Sequence, residues 1–120
     1  MINCIVLAAG YATRLYPITK NFPKPLLEVN KKPIIDWLLY DCISTQLIDS
    51  IIIVTNDKYF KHFENWKKSR KKDYLSNTII EIINDGSFSN ESRLGAVNDM
   101  CLGFRYMNNN SPQTDGTLVI

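Results

Sequence analysis

An arginine and a lysine stand ten residues apart in "CIVLAAGYATRLYPITKNFPKPLLEV", the stretch from Cys4 to Val29. Between an apolar run and Arg14 lies a turn, "AAGYATR", whose Ala8, Ala9, Gly10 and Ala12 have almost no side chain. Backbone of that kind can approach a ligand closely, and successive N–H groups in a turn can form a concave nest for an anion. Arg14 adds a planar guanidinium fork that matches phosphate oxygens. Lys24 sits between Pro23 and Pro25, whose rings restrict the backbone and reduce the entropy lost when the ammonium meets a ligand. A tight turn with two incidental surface charges is the bland alternative. Both cations on one long proline-marked loop favour a phosphate site instead. The loop is not a dinucleotide fingerprint, since G-x-G-x-x-G is absent, and no G-x-x-x-x-G-K-[ST] run occurs.

The elements around this loop define the fold class. Ile5–Ala9 reads as a strand buried on both faces, and "LLEV" (Leu26–Val29) as a brief strand followed by a turn. Pro33 suits the first turn of a helix with Ile34, Trp37, Leu38, Asp41 and Cys42 on its apolar stripe. "IDSIIIVTN" is a second buried strand, and Asp57 is placed to cap a helix carrying Phe60, Phe63 and Trp66. Asn77–Asn84 is a third strand. A helix from about Arg93 to Met107 then carries Leu94, Val97, Cys101 and Phe104, "NNNSPQTDG" is a loop, and "TLVI" is a fourth strand. Strands alternating with helices predict a three-layer α/β/α domain with a Rossmann-like, mostly parallel sheet. In such sheets ligands bind beyond the carboxyl ends of the strands, where the first turn lies.

The bulk numbers exclude several classes. The 120 residues make one domain; 45% apolar and 22% charged residues are those of a soluble globular chain. A net charge of +2 argues for neither nucleic acid nor a membrane surface, and "KKSRKK" (67–72) reads as a solvated helix end. Cys4, Cys42 and Cys101 lack metal or disulfide spacing, and His62 is the sole histidine. They suggest a reduced, cytoplasmic setting. "MINCIVLAAG" has no basic leader and is too short to span a membrane.

The run "LAAGYATRLYPITKNFPKPLLEVNKKPIIDWLL" closely resembles the opening of the nucleotidyltransferases that activate sugar 1-phosphates and related phosphorylated alcohols. "IDSIIIVTN" is similar to that family's second strand, and "RLGAV" to its nucleotide-holding L-G-T/A-A element. The resemblance implies the nucleotide-diphospho-sugar transferase type of fold. It implies attack of an acceptor phosphate on the α-phosphorus of a nucleoside triphosphate, with release of pyrophosphate and Mg2+ bridging the phosphates. By the same resemblance, Leu7, Ala8, Ala9 and Gly10, with Tyr11, Ala12 and Thr13, would embrace the nucleotide. Arg14 would hold the β- and γ-phosphates, Lys24 would sit by the α-phosphate, Asn84 would read the base, and Gly95 would pack against base or ribose.

The chain departs from the pattern in two places. Ala12 stands where the family often has glycine, and the family's metal-binding aspartate would follow "TLVI", just after Ile120. The expectation is therefore a nucleotide-binding portion, residues 1–120, of a longer domain, with no metal ligand of its own. An exposed sheet end would favour association into a homo-oligomer. Asp85 before Gly86 reads as a turn former and Asp99 as a solvated helix residue. Trp37 reads as core, whereas Tyr11 is the better candidate for stacking on a base. The polar stretch "NDGSFSNESRLGA" puts Asn84, Asp85, Ser87, Ser89, Asn90 and Arg93 beside the expected base site, and Arg93 could add a second cation. The alternative function is a non-catalytic nucleotide-binding or regulatory module. A dinucleotide-dependent oxidoreductase half is disfavoured by the missing glycine fingerprint.

Overall fold

The computed structural model describes residues 1–70, 77–110 and 114–120. Lys71 and Lys72 of the basic run, and Ser111–Gln113 of the polar connection, lie outside the described residues. Four strands, β1 (Ile2–Leu7), β4 (Ile48–Thr55), β5 (Ile79–Asn84) and β6 (Thr117–Val119), form one sheet in the order β5-β4-β1-β6. Every pairing in it is parallel. Between β1 and β4 runs a two-stranded hairpin, β2 (Glu28–Val29) and β3 (Lys32–Pro33). Asn30 and Lys31 at its tip have φ of +50° and +65°, which is the left-handed pair that a tight two-residue hairpin turn demands.

Alternation along the strands divides the core between the two faces. Cys4, Val6, Ala8, Ile51, Ile53 and Ile80 turn to the face covered by α1 (Ile34–Ser44) and α2 (Phe60–Ser69). Ile5, Ile52 and Val54 turn to the other face, beneath α3 (Ala96–Asn110) and its Met107 and Phe104. The three layers and the parallel sheet are as expected. Cys4 is fully buried, and burial, followed by its neighbour Cys42, pushes its thiol up to about 12. It is packing material and not a nucleophile. All three cysteines are free, and no described helix is long and apolar enough to cross a membrane.

The helices differ from expectation in phase. In α1 the buried residues are Ile35, Asp36 and Leu39, whereas Trp37 is 45% exposed. Trp37 is a clip and not core: its indole N–H donates to the Val29 carbonyl at 3.0 Å, and Lys32 Nζ stands 4.3 Å from its ring centre. Asp36 takes the buried position because it has partners there. It accepts from the Trp66 indole N–H and from the Arg70 guanidinium, each at 2.7 Å, and so ties α1 to α2. A buried carboxylate paired in this way is costly to break. Asp57 does not cap α2. The side chain of Asn56 accepts from the Tyr59 N–H at 2.9 Å instead.

Helix α3 starts three residues later than expected and continues through the asparagines at 108–110, which are not loop. Gly95 has φ +87° and lies just ahead of Ala96, so the right-handed helix cannot begin before it. The later start rotates the buried stripe to Asp99, Gly103 and Met107, leaving Val97 and Leu94 exposed. Gly103 is what lets α3 approach the sheet: a Cβ there would lie 3.0 Å from the Ile5 side chain. Ile5 is fully buried and has little room to yield. Gly103→Val should therefore destabilise the chain by about 1–3 kcal/mol despite the better helix former. Urea denaturation measures it, and an unchanged midpoint would refute this close packing.

Candidate functional site

The turn after β1 is shaped by what happens to its carbonyls. Thr55 Oγ1 donates to the Ala8 carbonyl at 3.1 Å, and the Asn56 side-chain amide donates to the Ala9 carbonyl at 2.9 Å. Thr19 Oγ1 donates to the Ala12 carbonyl at 2.7 Å. Thr19 is in turn held by its own carbonyl, which accepts from the Tyr59 hydroxyl. Ala12 itself is left-handed, at φ 48° and ψ 48°. With these oxygens drawn into the protein, the amides of Ala9, Gly10, Tyr11 and Ala12 have no acceptor among the described residues. Consecutive unpaired N–H groups at the carboxyl end of the central strands constitute an anion nest.

Two cavities flank Gly10. One, of about 330 Å³, is lined by Leu7, Ala9, Gly10, Arg93, Gly95, Ala96 and Asp99. The other, of about 270 Å³, is lined by Leu7, Ala8, Gly10, Ala12, Lys24 and Pro25. They share Leu7 and Gly10, and so form two lobes of one cleft. The geometry brings together most of the expected site: Leu7, Ala8, Ala9, Gly10, Ala12, Lys24 and Gly95. Lys24 projects from a 3-10 turn (Lys24–Leu26) entered through buried Pro23 and closed by buried Leu26, so its backbone is held while its side chain is exposed. Among the described residues no carboxylate pairs with Lys24 or Arg14. Both charges are left for a ligand.

Other expected residues lie elsewhere. Arg14 is exposed in a 3-10 turn (Thr13–Leu15) and lines neither lobe. Tyr11 is 2% exposed, so it does not present a face for a base. Its ring centre lies 5.8 Å from that of Tyr59, and its hydroxyl pairs with Ser87 Oγ at 3.2 Å. Burial raises the Tyr11 phenol above its ordinary range, which leaves it a neutral structural pin. Thr13 lines a third cavity on the outer side of the loop. Asn84 is engaged at both ends: its N–H donates to Asp57 Oδ1 and its oxygen accepts from the Gly86 N–H, each at 2.8 Å. That pairing holds the turn after β5.

Asp99 is the largest departure. Expected in solvent, it is 6% exposed and lines the lobe beside Gly95. Burial, then a hydrogen bond to the Asp85 side chain, then the Asp85 charge raise its carboxyl from 3.8 to about 7. Asp99 Oδ1 and Asp85 Oδ2 are fully buried and have no other donor. A proton kept on Asp99 would supply the missing donor between the two carboxyls. The other Asp85 oxygen accepts from the Ser87 N–H at 2.8 Å. A chain of contacts, Asp99–Asp85–Ser87–Tyr11, therefore joins the Gly95 wall to the first loop. The sequence signal for Asp99 was its place four residues ahead of Gly103, on the stripe that packs against the sheet.

With this geometry established, the relatives can be compared. Residues 3–111 match the nucleotidyl transferase family. The chain belongs to that family. A provisionally named mannose-1-phosphate guanyltransferase of Sulfolobus acidocaldarius is 33% identical across 100% of this chain and 29% of its own length. A choline-phosphate cytidylyltransferase of Streptococcus pneumoniae is 31% identical across 77% of this chain and 48% of its own. Among solved structures, a UDP-glucose pyrophosphorylase complexed with UDP-glucose shares the fold at a TM-score of 0.71. That match has 24% identity and covers 91% of this chain and 43% of the other. The chain thus spans less than half the length of these nucleotidyl transferases and their structural neighbour.

Two outcomes test the nest and the carboxyl pair. Asn56→Ala removes the donor from the buried Ala9 carbonyl and should cost about 1–3 kcal/mol in urea denaturation. It should also weaken triphosphate binding; binding at wild-type strength would show that Asn56 does not shape the turn. For Asp99, the folded protein holds a proton more tightly than the unfolded chain between pH 3.8 and about 7. Its stabilising contribution is complete below that window and is lost as pH rises through about 7. Asp99→Asn supplies a permanent N–H donor to Asp85, so the melting temperature of the variant should fall less than that of wild type between pH 5 and 8. Parallel pH profiles would refute a proton kept on Asp99.

Proposed function

We propose that the complete protein transfers a nucleoside monophosphate from a nucleoside triphosphate to a phosphorylated small molecule, a sugar 1-phosphate or a similar phosphorylated alcohol, and releases pyrophosphate. The observation that carries this reading is the run of four amides, Ala9–Ala12, with no acceptor among the described residues, flanked by Lys24 and with Arg14 on the same loop. The names of the relatives, which combine a nucleotidyl group with a phosphorylated acceptor, support it.

In this reaction an acceptor phosphate oxygen forms a bond to the α-phosphorus, and the bond from that phosphorus to the β-bridging oxygen breaks. The departing electron pair goes to pyrophosphate, so no protein nucleophile is needed. The barrier is in part repulsion between two anions, which fixed dipoles and cations lower. We assign the backbone of Ala9–Ala12 to the triphosphate and the Arg14 side chain to the β- and γ-phosphates. Lys24 takes the meeting point of the α-phosphate and the incoming phosphate, and the Gly95–Ala96 wall takes the base or ribose. Arg93, in the same lobe, adds positive charge at its rim.

Mg2+ is part of the proposal for the complete enzyme. It takes one or two carboxylates, waters and phosphate oxygens. Among the described residues no three ligating side chains converge, and Asp85 and Asp99 are hydrogen-bonded to one another. The roles of Arg14 and Lys24 stand without a metal ligand from the described residues. Nucleotide binding without turnover is the second reading, favoured by that mutual engagement of the two carboxyls.

Lys24→Ala should lower kcat/KM at least about 10²-fold, the size of effect seen when one charge-stabilising donor is removed. Arg14→Ala should act in the same direction, with circular dichroism unchanged in both. Pyrophosphate release from each triphosphate, with several phosphorylated acceptors, measures it. Wild-type turnover in both variants would refute the assignment, and triphosphate binding with no pyrophosphate from any acceptor would favour the binding module.

A further inference from the structure

Of residues 13–22 only Thr19 is buried, and it is buried completely. Its hydroxyl donates to the Ala12 carbonyl at 2.7 Å, and its own carbonyl accepts from the hydroxyl of Tyr59, itself buried where α2 begins. Thr13–Ile18 and Lys20–Phe22 on either side add nothing to the core. An exposed segment tied to a rigid scaffold at one internal point is the usual arrangement of a loop that carries function.

Ala12 shows what the tie does. Its φ and ψ of 48° are left-handed, a conformation that crowds any residue with a Cβ. The other described non-glycine residues with positive φ are Asn30, Lys31 and Gln46, all at exposed turn positions. Ala12 instead lines the lobe that holds Lys24. From Ala12 the chain enters the 3-10 turn Thr13–Leu15, and the Leu15 N–H donates to the same Ala12 carbonyl at 3.0 Å. One oxygen thus accepts both the donor that closes the turn and the donor that anchors it. Arg14 is the middle residue of that turn. Without the Thr19 hydroxyl, Ala12 is free to relax to an uncrowded conformation, which redirects Arg14 while the sheet and helices keep their packing.

We propose that Thr19 is a positioning residue for Arg14, its hydroxyl holding Ala12 left-handed so that the guanidinium is set toward the ligand. The inference rests on the phosphate role proposed for Arg14. Trypsin cleavage of the native whole chain without nucleotide, read by mass spectrometry, tests the anchor. Thr19→Val keeps the side-chain shape and removes the donor. Cleavage after Arg14 should quicken about three- to tenfold, the span of one neutral hydrogen bond, while cleavage after Lys61 in α2 stays unchanged. Thr19→Ser, which keeps the donor, should stay closer to wild type. Glycine adopts the left-handed region freely, so Ala12→Gly should shrink the effect of Thr19→Val. No acceleration at Arg14, equal acceleration at both sites, or an undiminished effect in the Ala12→Gly background would overturn the anchor. In the complete protein, Thr19→Val should lower kcat/KM by a similar factor, and that loss should vanish in an Arg14→Ala background. Losses that multiply in the double variant would overturn action through Arg14. If Arg14→Ala alone leaves turnover at the wild-type rate, the phosphate role of Arg14 fails, and the cleavage rates still decide the anchor.

Discussion

The site depends on the burial of three carbonyl oxygens. Ala8, Ala9 and Ala12 could turn either edge of their peptides to solvent, and side-chain donors from Thr55, Asn56 and Thr19 settle the choice. Once those oxygens point inward, the opposite edges of the same peptides, the N–H groups of Ala9, Gly10 and Thr13, are turned away from these donors. An unpaired buried carbonyl is expensive, so the orientation is held without help from a ligand. Preorganised dipoles of this kind act on developing charge with no reorganisation at the moment of reaction.

That constraint reaches far into the fold. Asn56 serves twice, donating to Ala9 and accepting from the Tyr59 N–H at the start of α2. Tyr59 continues the support through its hydroxyl to the Thr19 carbonyl and its ring against Tyr11. Beyond it His62 stands with its ring centre 6.2 Å away, and Phe22 meets His62 edge-on at 5.0 Å, just ahead of the Pro23–Lys24 turn. A row of aromatic rings thus underlies the loop from the nest to the lysine. The loop is long, yet it rests on α2 as a surface rests on pillars, which is why Arg14 and Lys24 can be exposed without being loose.

The opposite wall is set by different means. Gly95, with φ +87°, delays α3 and puts its first turn beside Gly10. Gly103 brings the same helix down onto Ile5. Asp99 lies between these glycines and is thereby driven against Asp85, where it keeps a proton near neutrality. The pair joins the two walls of the cleft through Ser87 and Tyr11.

The chain's local chemistry disclosed the layer order, the parallel sheet, the small-residue turn and the proline-flanked lysine. Each of these is a property of neighbouring residues: β-branched runs, glycine and alanine at a turn, rings that restrict φ. Local chemistry could not reveal the helix phases. Ile35 and Trp37 are both apolar, and only the sheet beneath α1 and the Val29 carbonyl beside it determined which was buried. Nor could it show that Tyr11 and Asn84 are engaged by Ser87 and Asp57, partners 76 and 27 residues away. Asp99 makes the case most sharply. As a lone aspartate in a helix it reads as solvated, and only the close approach of α3 to the sheet, meeting a second carboxyl at the end of β5, made it buried and proton-bearing.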